Sequence, residues 1–582
     1  MIRPVATSLA SLLSLVLFWA ANARAEDEVL KLVPEGALGF AFVNRPADAD
    51  AKLQQLGRQM NLPIPSLLTK LQGPGGIREG IDKNRPMAAL VLPTKEKEIL
   101  TLIALIPVSD YAKFLGQFKS EGTEAGVTKI ELWGDSCLVR SVGGYAAIAR
   151  APYREILEKG LKPAGEIPAA LRPWQAWLAQ KDAAVVMLAP GIRLLSAKVQ
   201  QWIAGIRPAL AQAGGQMKQA AAGLDMYVML FQAAEKEVAS IGFGVQRDAQ
   251  GVIRLTKRAR LVPGGDWAGF FAELKPAKDK VLAGLPNEPF LFAGGGAVSK
   301  AMLGKMMQAS FHLIHNLREL YGLSEEDAKS LAELGKEKFP GVRGVSFVVG
   351  VAPSGESIIS RTLGIMRVNS SETFVSDYQK YLARYSRIAE KTKSPMFQPA
   401  QVEQTEIGGT HALRVTMALP QMPNMPAEST KMVERMYGPG GKIVAWVVPC
   451  DEQTVVFSYM GEERLSPVIA AVKQGKPGLA EDAGIAKVVV LLPSDVTWSG
   501  FVSPKGVFDS LRGLMAFMLP PGTAPKIPEF ASTPPIAVGL TTAPDEVEAH
   551  VVVPAEVIEA IGRLAGGNRQ REVPAPEKVE ER

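Results

Sequence analysis

Histidine, the side chain most often used for proton transfer and metal binding near neutral pH, is scarce in this chain. The four histidines are His312, His315, His411 and His550. His312, His315 and Glu319 have a spacing that could place three metal ligands along one helix. On a helical wheel they lie opposite the apolar stripe that includes Phe311 and Leu317. The pattern therefore favours a solvated helix face over a metal site.

A second motif with chemical potential is Gly134-Asp135-Ser136 with Leu138, which superficially resembles the nucleophile block of the Gly-Asp-Ser-Leu hydrolases. Those hydrolases also require an aspartate three residues before a histidine. The residues at that position here are Ala309, His312, Gly408 and Val547. Because none of them is aspartate, the sequence predicts a turn between two strands at residues 134–136 and offers no catalytic residue.

Two glycine-rich stretches could in principle cradle a phosphate. Residues 294–296 are three glycines between a predicted strand and a predicted helix, but the Gly-Lys-Ser/Thr of a phosphate-binding loop is absent. The stretch from Gly438 to Lys442 fails in the same way, because Ile443 stands where a hydroxyl side chain is needed. Both stretches are predicted to be backbone turns, and no cofactor is predicted.

The stretch 417–442 is rich in proline and methionine. Its methionines are Met417, Met422, Met425, Met432 and Met436. Thioethers are soft ligands that suit Cu(I), so Met417, Met422 and Met425 are candidate copper ligands. The alternative is a flexible loop, or a lid whose methionines pack on an apolar surface. The residues leave both interpretations open.

Three arginines alternate with apolar residues in the predicted strand 252–261. Arg254, Arg258 and Arg260 are separated by residues such as Leu255 and Ala259. Because side chains in a strand alternate between faces, the arginines should share one face of a sheet and the apolar residues the other. We expect the arginine face to be solvated. Contact with an acidic polysaccharide or a lipid headgroup is the alternative.

The chain has two cysteines, Cys137 and Cys450, each just before a predicted strand. In an exported protein they could form one disulfide, which would close a very long loop and contribute ~2–5 kcal/mol. The alternative is that both are small buried side chains on neighbouring strands. Both interpretations remain open.

The elements that must position these residues occur in the same order twice, from about residue 30 to 280 and from about 284 to 565. Each half opens with a turn, at residues 32–35 or 285–288, that leads into an apolar strand. A hairpin follows in each half. Its second strand ends at Ser109 and Asp110, or at Ser370, Ser371 and Glu372, where an acid is expected to begin a helix. A shorter copy of the unit closes each half.

This order predicts an α+β protein in which helices pack on antiparallel sheets, built as two tandem pseudo-repeated halves. Each half consists of a long and a short strand-helix-hairpin-helix unit. The predicted units span residues 26–165, 166–283, 284–475 and 476–565. The halves differ chiefly by the insertion 417–442 in the second and by an Ala/Gln-rich helical stretch near 192–225 in the first.

The first 25 residues have the pattern of an export signal, with Arg3, an apolar core and a small-x-small site that ends at Ala25. No later stretch reaches the roughly 18 apolar residues of a membrane span, so we expect a periplasmic or extracellular chain. Removal of Arg3 and Arg24 with the signal lowers the formal net charge from +6 to about +4, and this balance argues against nucleic-acid binding. Residues 566–582 are rich in proline and charge and are predicted to be disordered.

The signal, the openings Val33-Pro34-Glu35 and Leu492-Pro493-Ser494-Asp495, and the repeated units resemble a family of large exported bacterial proteins of unknown function. The resemblance spans most of the mature chain and carries no catalytic residues. We therefore expect a non-enzymatic scaffold or binding protein with an unknown envelope or extracellular partner. A secreted enzyme of unrecognised class and a methionine-dependent copper protein are the alternatives.

Overall fold

The structure, a computed structural model, describes residues 26–93, 101–161, 165–212, 215–276, 281–299, 304, 323–334, 341–353, 356–392, 397–419, 436–437, 441–518 and 527–569. The predicted signal and most of the predicted tail lie outside these ranges. The chain forms two compact units. The first comprises Met1–Val199, Ala233–Val262 and Val553–Arg582, and the second comprises Gln200–Gln232 and Pro263–Val552. The predicted division into four units stays a prediction.

Among the described residues, the first unit contains strands β1 to β10. They span Gly39–Val43, Met87–Leu92, Thr101–Pro107, Ser120–Glu124, Val127–Leu132, Asp135–Val142, Tyr145–Arg150, Ala183–Leu188, Val238–Arg247 and Ile253–Leu261. The second unit contains strands β11 to β20. They span Phe290–Ala297, Val342–Gly350, Thr362–Val368, Ala400–Ile407, Thr410–Ala418, Lys442–Asp451, Thr454–Ser458, Trp498–Val502, Ile536–Ala543 and Glu546–Val553.

The described α-helices are numbered α1 to α14 in chain order. They span Glu26–Leu30, Pro46–Gln59, Leu67–Leu71, Tyr111–Gly116, Arg172–Leu178, Ala189–Gln212, Gly215–Glu237, Asp266–Ala272, Glu325–Leu334, Ser371–Thr392, Glu462–Lys473, Ala483–Val489, Pro504–Met518 and Ala555–Arg569. Short turns of 3₁₀ or π helix occur at Ala151–Tyr153, Ile156–Gly160 and Gly478–Glu481. Helices and antiparallel strands together confirm the predicted α+β class.

In the first unit, strand β1 lies between β2 and β8. Ala41 is paired with Ala89 on one side and with Val185 on the other, and both pairings are antiparallel. The remaining pairings give the strand order β4-β5-β6-β7-β3-β2-β1-β8-β9-β10, with every neighbouring pair antiparallel. The predicted hairpins β2–β3 and β9–β10 are therefore confirmed.

In the second unit, strand β11 lies between β12 and β18. Gly294 is paired with Phe347 and with Gly500, again antiparallel. The strand order is β14-β15-β16-β17-β13-β12-β11-β18-β19-β20, and every neighbouring pair is antiparallel. The predicted hairpins β12–β13 and β19–β20 are confirmed as well.

Both faces of the sheet in the first unit are covered over part of their area. Leu105 belongs to a core that also contains Trp174 of α5, whereas its neighbour Ile106 belongs to a second core with Phe114 of α4. This alternation is what a strand buried on both faces produces. In the second unit, Phe374 of α10 packs in a core with residues of β12, β13 and β15 to β17.

Two turn predictions have different outcomes. Trp133 and Gly134 both have positive φ, 51° and 84°, and join β5 to β6 in a tight hairpin. The predicted turn between two strands is therefore confirmed, but at residues 133–134, because Asp135 and Ser136 already belong to β6. The turn predicted at residues 294–296 is wrong, because these glycines lie inside β11. A Cβ atom at Gly295 would lie 2.3 Å from the carbonyl oxygen of Val345, so close strand contact accounts for glycine there.

The C-terminal helix α14 belongs to the first unit and packs against α2. Val557, Ile558 and Ala560 are buried. Gly562 lies so close to α2 that a Cβ atom there would be 2.2 Å from the carbonyl oxygen of Gln59. Glycine at 562 therefore permits a close crossing of the two helices.

Candidate interaction surface

A buried cluster of charged side chains lies where strands β8 and β9 meet helix α2. Asp182 precedes β8 and is 2% exposed, and Arg247, at the end of β9, is 5% exposed. The backbone N–H of Arg247 donates to the Asp182 carboxylate. Lys52 of α2 places its Nζ 3.5 Å from Asp182 Oδ1 and donates to the carbonyl oxygen of Arg247 at 2.8 Å.

The same cluster fixes α2 to the sheet. The guanidinium group of Arg247 donates to Gln55 Oε1 and to Gln59 Oε1, at 2.7 Å each. Burial raises the pKa of Asp182 to about 6, although the Arg247 N–H and the charges of Lys52 and Lys181 act in the opposite direction. Because Asp182 and Arg247 have almost no solvent contact, the cluster can stabilise the first unit but offers a ligand no access.

The arginines of β10 are placed differently from the expectation. Arg258 lies over Trp174 of α5, with its guanidinium carbon 5.6 Å from the ring centroid, and Thr256 on the same face is buried. Arg254 pairs with Asp248 at 3.3 Å. The opposite face carries Leu255, which is exposed. The expectation of a solvated arginine face is therefore wrong, because the tryptophan-bearing helix α5 covers that face.

The remaining candidate ligands are separated or lie outside the described residues. Met417 is in β15 and packs against the core of the second unit. Met422, Met425, His312, His315 and Glu319 lie outside the described residues, so the copper site stays a prediction. Among the residues that the structure describes, no group of three or more His, Cys, Asp or Glu side chains is arranged to hold a metal ion.

Both cysteines are buried and free in the structure. Cys137 is in the core of the first unit, and Cys450 is in β16 of the second, where its thiol donates to the carbonyl oxygen of Val448 at 3.7 Å. Burial raises the pKa of both thiols, that of Cys450 to about 12, so both are protonated at neutral pH. The disulfide stays a prediction.

A surface depression of about 450 Å³ lies at the C-terminal end of α2. Gln54 and Arg58 of the helix line one side, and Leu62 and Ile64 line the other. The Gln54 amide donates to the carbonyl oxygen of Ile64 at 3.1 Å, so it holds the loop in place. Because the Gln54 amide is already bonded to the loop, few polar groups in the depression remain to orient a ligand.

The most prominent surface feature is apolar and lies on long helices. Helices α6 and α7 form an antiparallel hairpin, in which Gln232 Nε2 donates to Gln200 Oε1 at 3.3 Å. Four large apolar side chains on this hairpin are each about half exposed. They are Trp202, Tyr227, Met229 and Leu230. We call these four residues the hairpin patch. Ile203, next to Trp202, is buried, so Trp202 lies on an outer face of α6.

A second apolar surface lies on helix α13. Val507, Leu511 and Leu514 are 38 to 44% exposed, and their spacing of four and three residues places them on one helix face. We call them the α13 stripe. Asp509 lies on another face, where it pairs with Lys505 and Arg512 at 2.7 Å each. The charged side chains of this helix are thus engaged with one another, and the apolar stripe remains at the surface.

Helices α6 and α13 leave corresponding strands. Each begins directly after the strand that borders the central strand of its unit, β8 in the first and β18 in the second. Each also has a glycine in its first turn against a strand carbonyl, Gly191 near Leu38 and Gly506 near Phe290. The exposed apolar residues of α6 and α13 therefore lie on helices that follow corresponding strands.

Among the described residues, no helix is both long and apolar enough to cross a membrane. No protein-family model, curated protein or solved structure matches the chain.

The sequence offered no clear signal for the exposed apolar surfaces. An apolar stripe on a helix ordinarily predicts that this face is buried against another element.

Proposed function

We propose that this protein is an exported, non-enzymatic scaffold or binding protein of the cell envelope or extracellular space, which makes its contacts through apolar helix surfaces. The observation that carries the proposal is the occurrence of exposed apolar side chains on α6–α7 and on α13. Clustered apolar side chains at a surface are costly in water and commonly mark sites of interaction.

The proposal includes a duplicated architecture of two tandem halves. The support is the strand order, which is the same from β1 to β10 as from β11 to β20. Backbone hydrogen bonds also correspond. Asp182 N donates to Val245 O at 2.7 Å in the first half, and Thr497 N donates to Leu540 O at 2.7 Å in the second.

Helix caps correspond in the two halves as well. Asp110 accepts a hydrogen bond from the N–H of Lys113 at 3.0 Å at the start of α4, and Ser370 accepts one from Thr373 at 3.2 Å at the start of α10. Each cap directly follows the third strand of its half. Gly80 and Gly341, both with positive φ, accept hydrogen bonds from Ser109 and Asn369 beside these caps. A duplicated chain would retain such details.

A scaffold role fits the distribution of ionisable groups. The strongest charged cluster, around Asp182, is buried and engaged in holding α2 to the sheet. The exposed apolar surfaces, in contrast, lie on helices that can present them without disturbing the sheets. Membership of the family of large exported proteins that the sequence resembles is part of the same proposal.

The test is binding of the purified chain to an envelope fraction of the source cell, measured by sedimentation. We expect Trp202→Ser with Leu230→Ser, and Leu511→Ser with Leu514→Ser, each to weaken binding about tenfold through lost apolar burial. Val490→Ser is the matched control, because Val490 is 76% exposed and belongs to neither surface.

Circular dichroism and thermal unfolding check that each variant is folded. Binding that is the same for the wild type and both double variants would refute the use of these surfaces. Reproducible turnover of a substrate by the purified wild type would refute the non-enzymatic assignment.

A further inference from the structure

Strand β14 is the outermost described strand on its side of the sheet in the second unit. All eight of its residues pair with β15 in regular register, from Ala400 with Met417 to Ile407 with Thr410. Among the described residues, no second strand pairs with β14. One edge of this strand therefore faces away from the sheet along its whole length.

Alternate residues of β14 direct their backbone groups toward that outer edge. The Ala400 N–H donates to Ser386 Oγ of α10 at 2.9 Å, and the Ser386 hydroxyl donates to the Ala400 carbonyl oxygen at 3.0 Å. Ala400 thus bonds away from β15. Because hydrogen-bonded and non-hydrogen-bonded positions alternate along an antiparallel strand, Val402, Gln404 and Glu406 direct their N–H and C=O groups outward as well. No described residue bonds to these outward groups.

The corresponding outer strand of the first unit is protected. Strand β4 has only five residues, and its register shifts between Ser120 and Thr123, where Gly122 has a φ of 109°. A short, bulged edge discourages pairing with a further strand. Strand β14 has no register shift and contains no proline, glycine or lysine. The second unit therefore presents an edge that lacks the usual protection.

The side chains along this edge are acidic. Glu403 and Glu406 each expose 65% of their side chain, and β14 contains no lysine or arginine. Their basic neighbours lie on the inner side, in β15, with Arg414 3.5 Å from Glu403 and His411 3.6 Å from Glu406. A strand added outside β14 would place its own side chains opposite both glutamates, on the other side from these neighbours.

The spacing of the two glutamates sets the pattern that a partner needs. Glu403 and Glu406 are three residues apart, so they lie on opposite faces of the sheet. An added strand reaches both with basic residues that are also three positions apart, one on each face. Basic residues two positions apart would share a face and could pair with only one glutamate.

A second copy of the chain fits the edge less well. Two β14 strands related by a two-fold axis and centred on Glu403 would place the two Glu403 side chains directly opposite one another. Centring the pair on Val402 or Gln404 makes the same side chains diagonal neighbours. Like charges at these positions destabilise strand pairing, whereas a basic strand would replace the repulsion with attraction.

We propose that the edge of β14 binds an extended, basic peptide segment of another protein as an added strand. Backbone hydrogen bonds from Val402, Gln404 and Glu406 hold the segment, and its basic side chains lie beside Glu403 and Glu406. This inference goes beyond the proposed function, because it uses neither of the apolar helix surfaces and gives the second unit a partner of stated chemistry.

The experiment measures binding of the full mature chain to fluorescent peptides of the same length as β14, by fluorescence anisotropy. The peptides consist of valine and threonine with two lysines three positions apart, two lysines two positions apart, or two glutamates three positions apart. We expect the first to bind about tenfold more tightly than the glutamate peptide, and more tightly than the second. Added salt should weaken binding of the lysine peptides.

Variants separate the backbone contribution from the charge contribution. Gln404→Pro removes an outward N–H while leaving the hydrogen bonds to β15 in place, and should weaken binding of every peptide about tenfold. Glu403→Gln with Glu406→Gln should weaken binding of the first lysine peptide about fivefold and leave the glutamate peptide no weaker. Glu124→Gln, the matched change on β4, should bind as the wild type does. Circular dichroism and thermal unfolding check that each variant is folded.

The opposite results are equally clear. Absence of peptide binding, equal binding of the lysine and glutamate peptides, or binding that both edge variants leave unchanged would overturn the proposal. Dimers in sedimentation velocity that Gln404→Pro dissociates, without peptide binding, would assign the edge to a second copy and also overturn it.

The edge site and the proposed function can fail separately. Trp202→Ser with Leu230→Ser should bind the lysine peptide as the wild type does. If the wild type binds the envelope fraction but no peptide, the proposed function stands and the edge site is wrong.

Discussion

The two units use the same backbone arrangement at one position and fill it with different chemistry. Asp182 of the first unit accepts at its backbone carbonyl from Asn44 N at 3.2 Å, and Thr497 of the second accepts from Ala297 N at 3.1 Å. The Asp182 carboxylate is bound by Arg247 and Lys52, whereas the Thr497 hydroxyl donates to Leu540 O at 3.0 Å. The same strand geometry is therefore compatible with different polar side chains at this position.

The largest expected effects concern a feature of both units, the close contact between a helix glycine and a backbone carbonyl oxygen. A Cβ atom at Gly191 would lie 2.1 Å from Leu38 O, and one at Gly506 would lie 2.0 Å from Phe290 O. We expect Gly191→Ala and Gly506→Ala each to lower the free energy of unfolding by about 3 kcal/mol or more, because a backbone must move. Urea unfolding followed by circular dichroism measures the effect.

Each helix supplies its own control for that prediction. Gly205 in α6 and Gly513 in α13 have open space around the position of a Cβ atom. Gly205→Ala and Gly513→Ala should raise stability by ~0.5–1 kcal/mol, since alanine is the better helix former. If Gly191→Ala or Gly506→Ala lowers the free energy of unfolding no more than its control does, that unit lacks the close contact between helix and strand.

A smaller effect should separate the two units. Asp182→Ala leaves the Arg247 N–H and the Lys52 ammonium without their buried partner, and we expect a loss of about 2 kcal/mol. Thr497→Ala removes a single hydroxyl hydrogen bond and should cost about 1 kcal/mol. Asp182→Thr, which installs the side chain of the second unit, is the informative third variant. If Asp182→Ala and Thr497→Ala lower the free energy of unfolding equally in urea, the predicted difference between the two units is wrong.

The last effect is a pH dependence confined to the first unit. The folded pKa of Asp182 is about 6, against 3.8 for an unperturbed carboxyl group. Between these values the folded protein holds a proton that the unfolded chain has released, so this group stabilises the fold below pH 4 and loses that contribution as pH rises through 6. Each pH unit between the two pKa values should change the free energy of unfolding by about 1.4 kcal/mol.

Asp182→Asn isolates this contribution, because asparagine does not titrate. Stability measured from pH 4 to 7 should fall more steeply with rising pH for the wild type than for Asp182→Asn. Parallel curves for the two proteins would mean that Asp182 has an ordinary pKa in the folded state.

Local structure could be predicted from the sequence to a large extent. Alternating apolar residues and turn residues identified the hairpins β2–β3 and β19–β20, and the cap at Asp110 began a helix as expected. These features depend on neighbouring residues, so their pattern is visible in the chain.

Non-local features could not be predicted in the same way. Period-two alternation correctly placed the β10 arginines on one face, but only the distant helix α5 decides which face is covered. The glycines of β11 were predicted as a turn because their close strand neighbours are more than 40 residues away in sequence. The hairpin patch was missed for a related reason, since the exposure of a helix face depends on contacts with residues that are distant in sequence.

Helix α14 determines when the first unit can be completed during synthesis. This helix, at residues 555–569, packs against α2 at residues 46–59, so the two partners are about 500 residues apart in the chain. At ~5–20 residues per second, α2 leaves the ribosome tens of seconds before its partner exists. The first unit therefore cannot be complete until the last described helix of the chain has been synthesised.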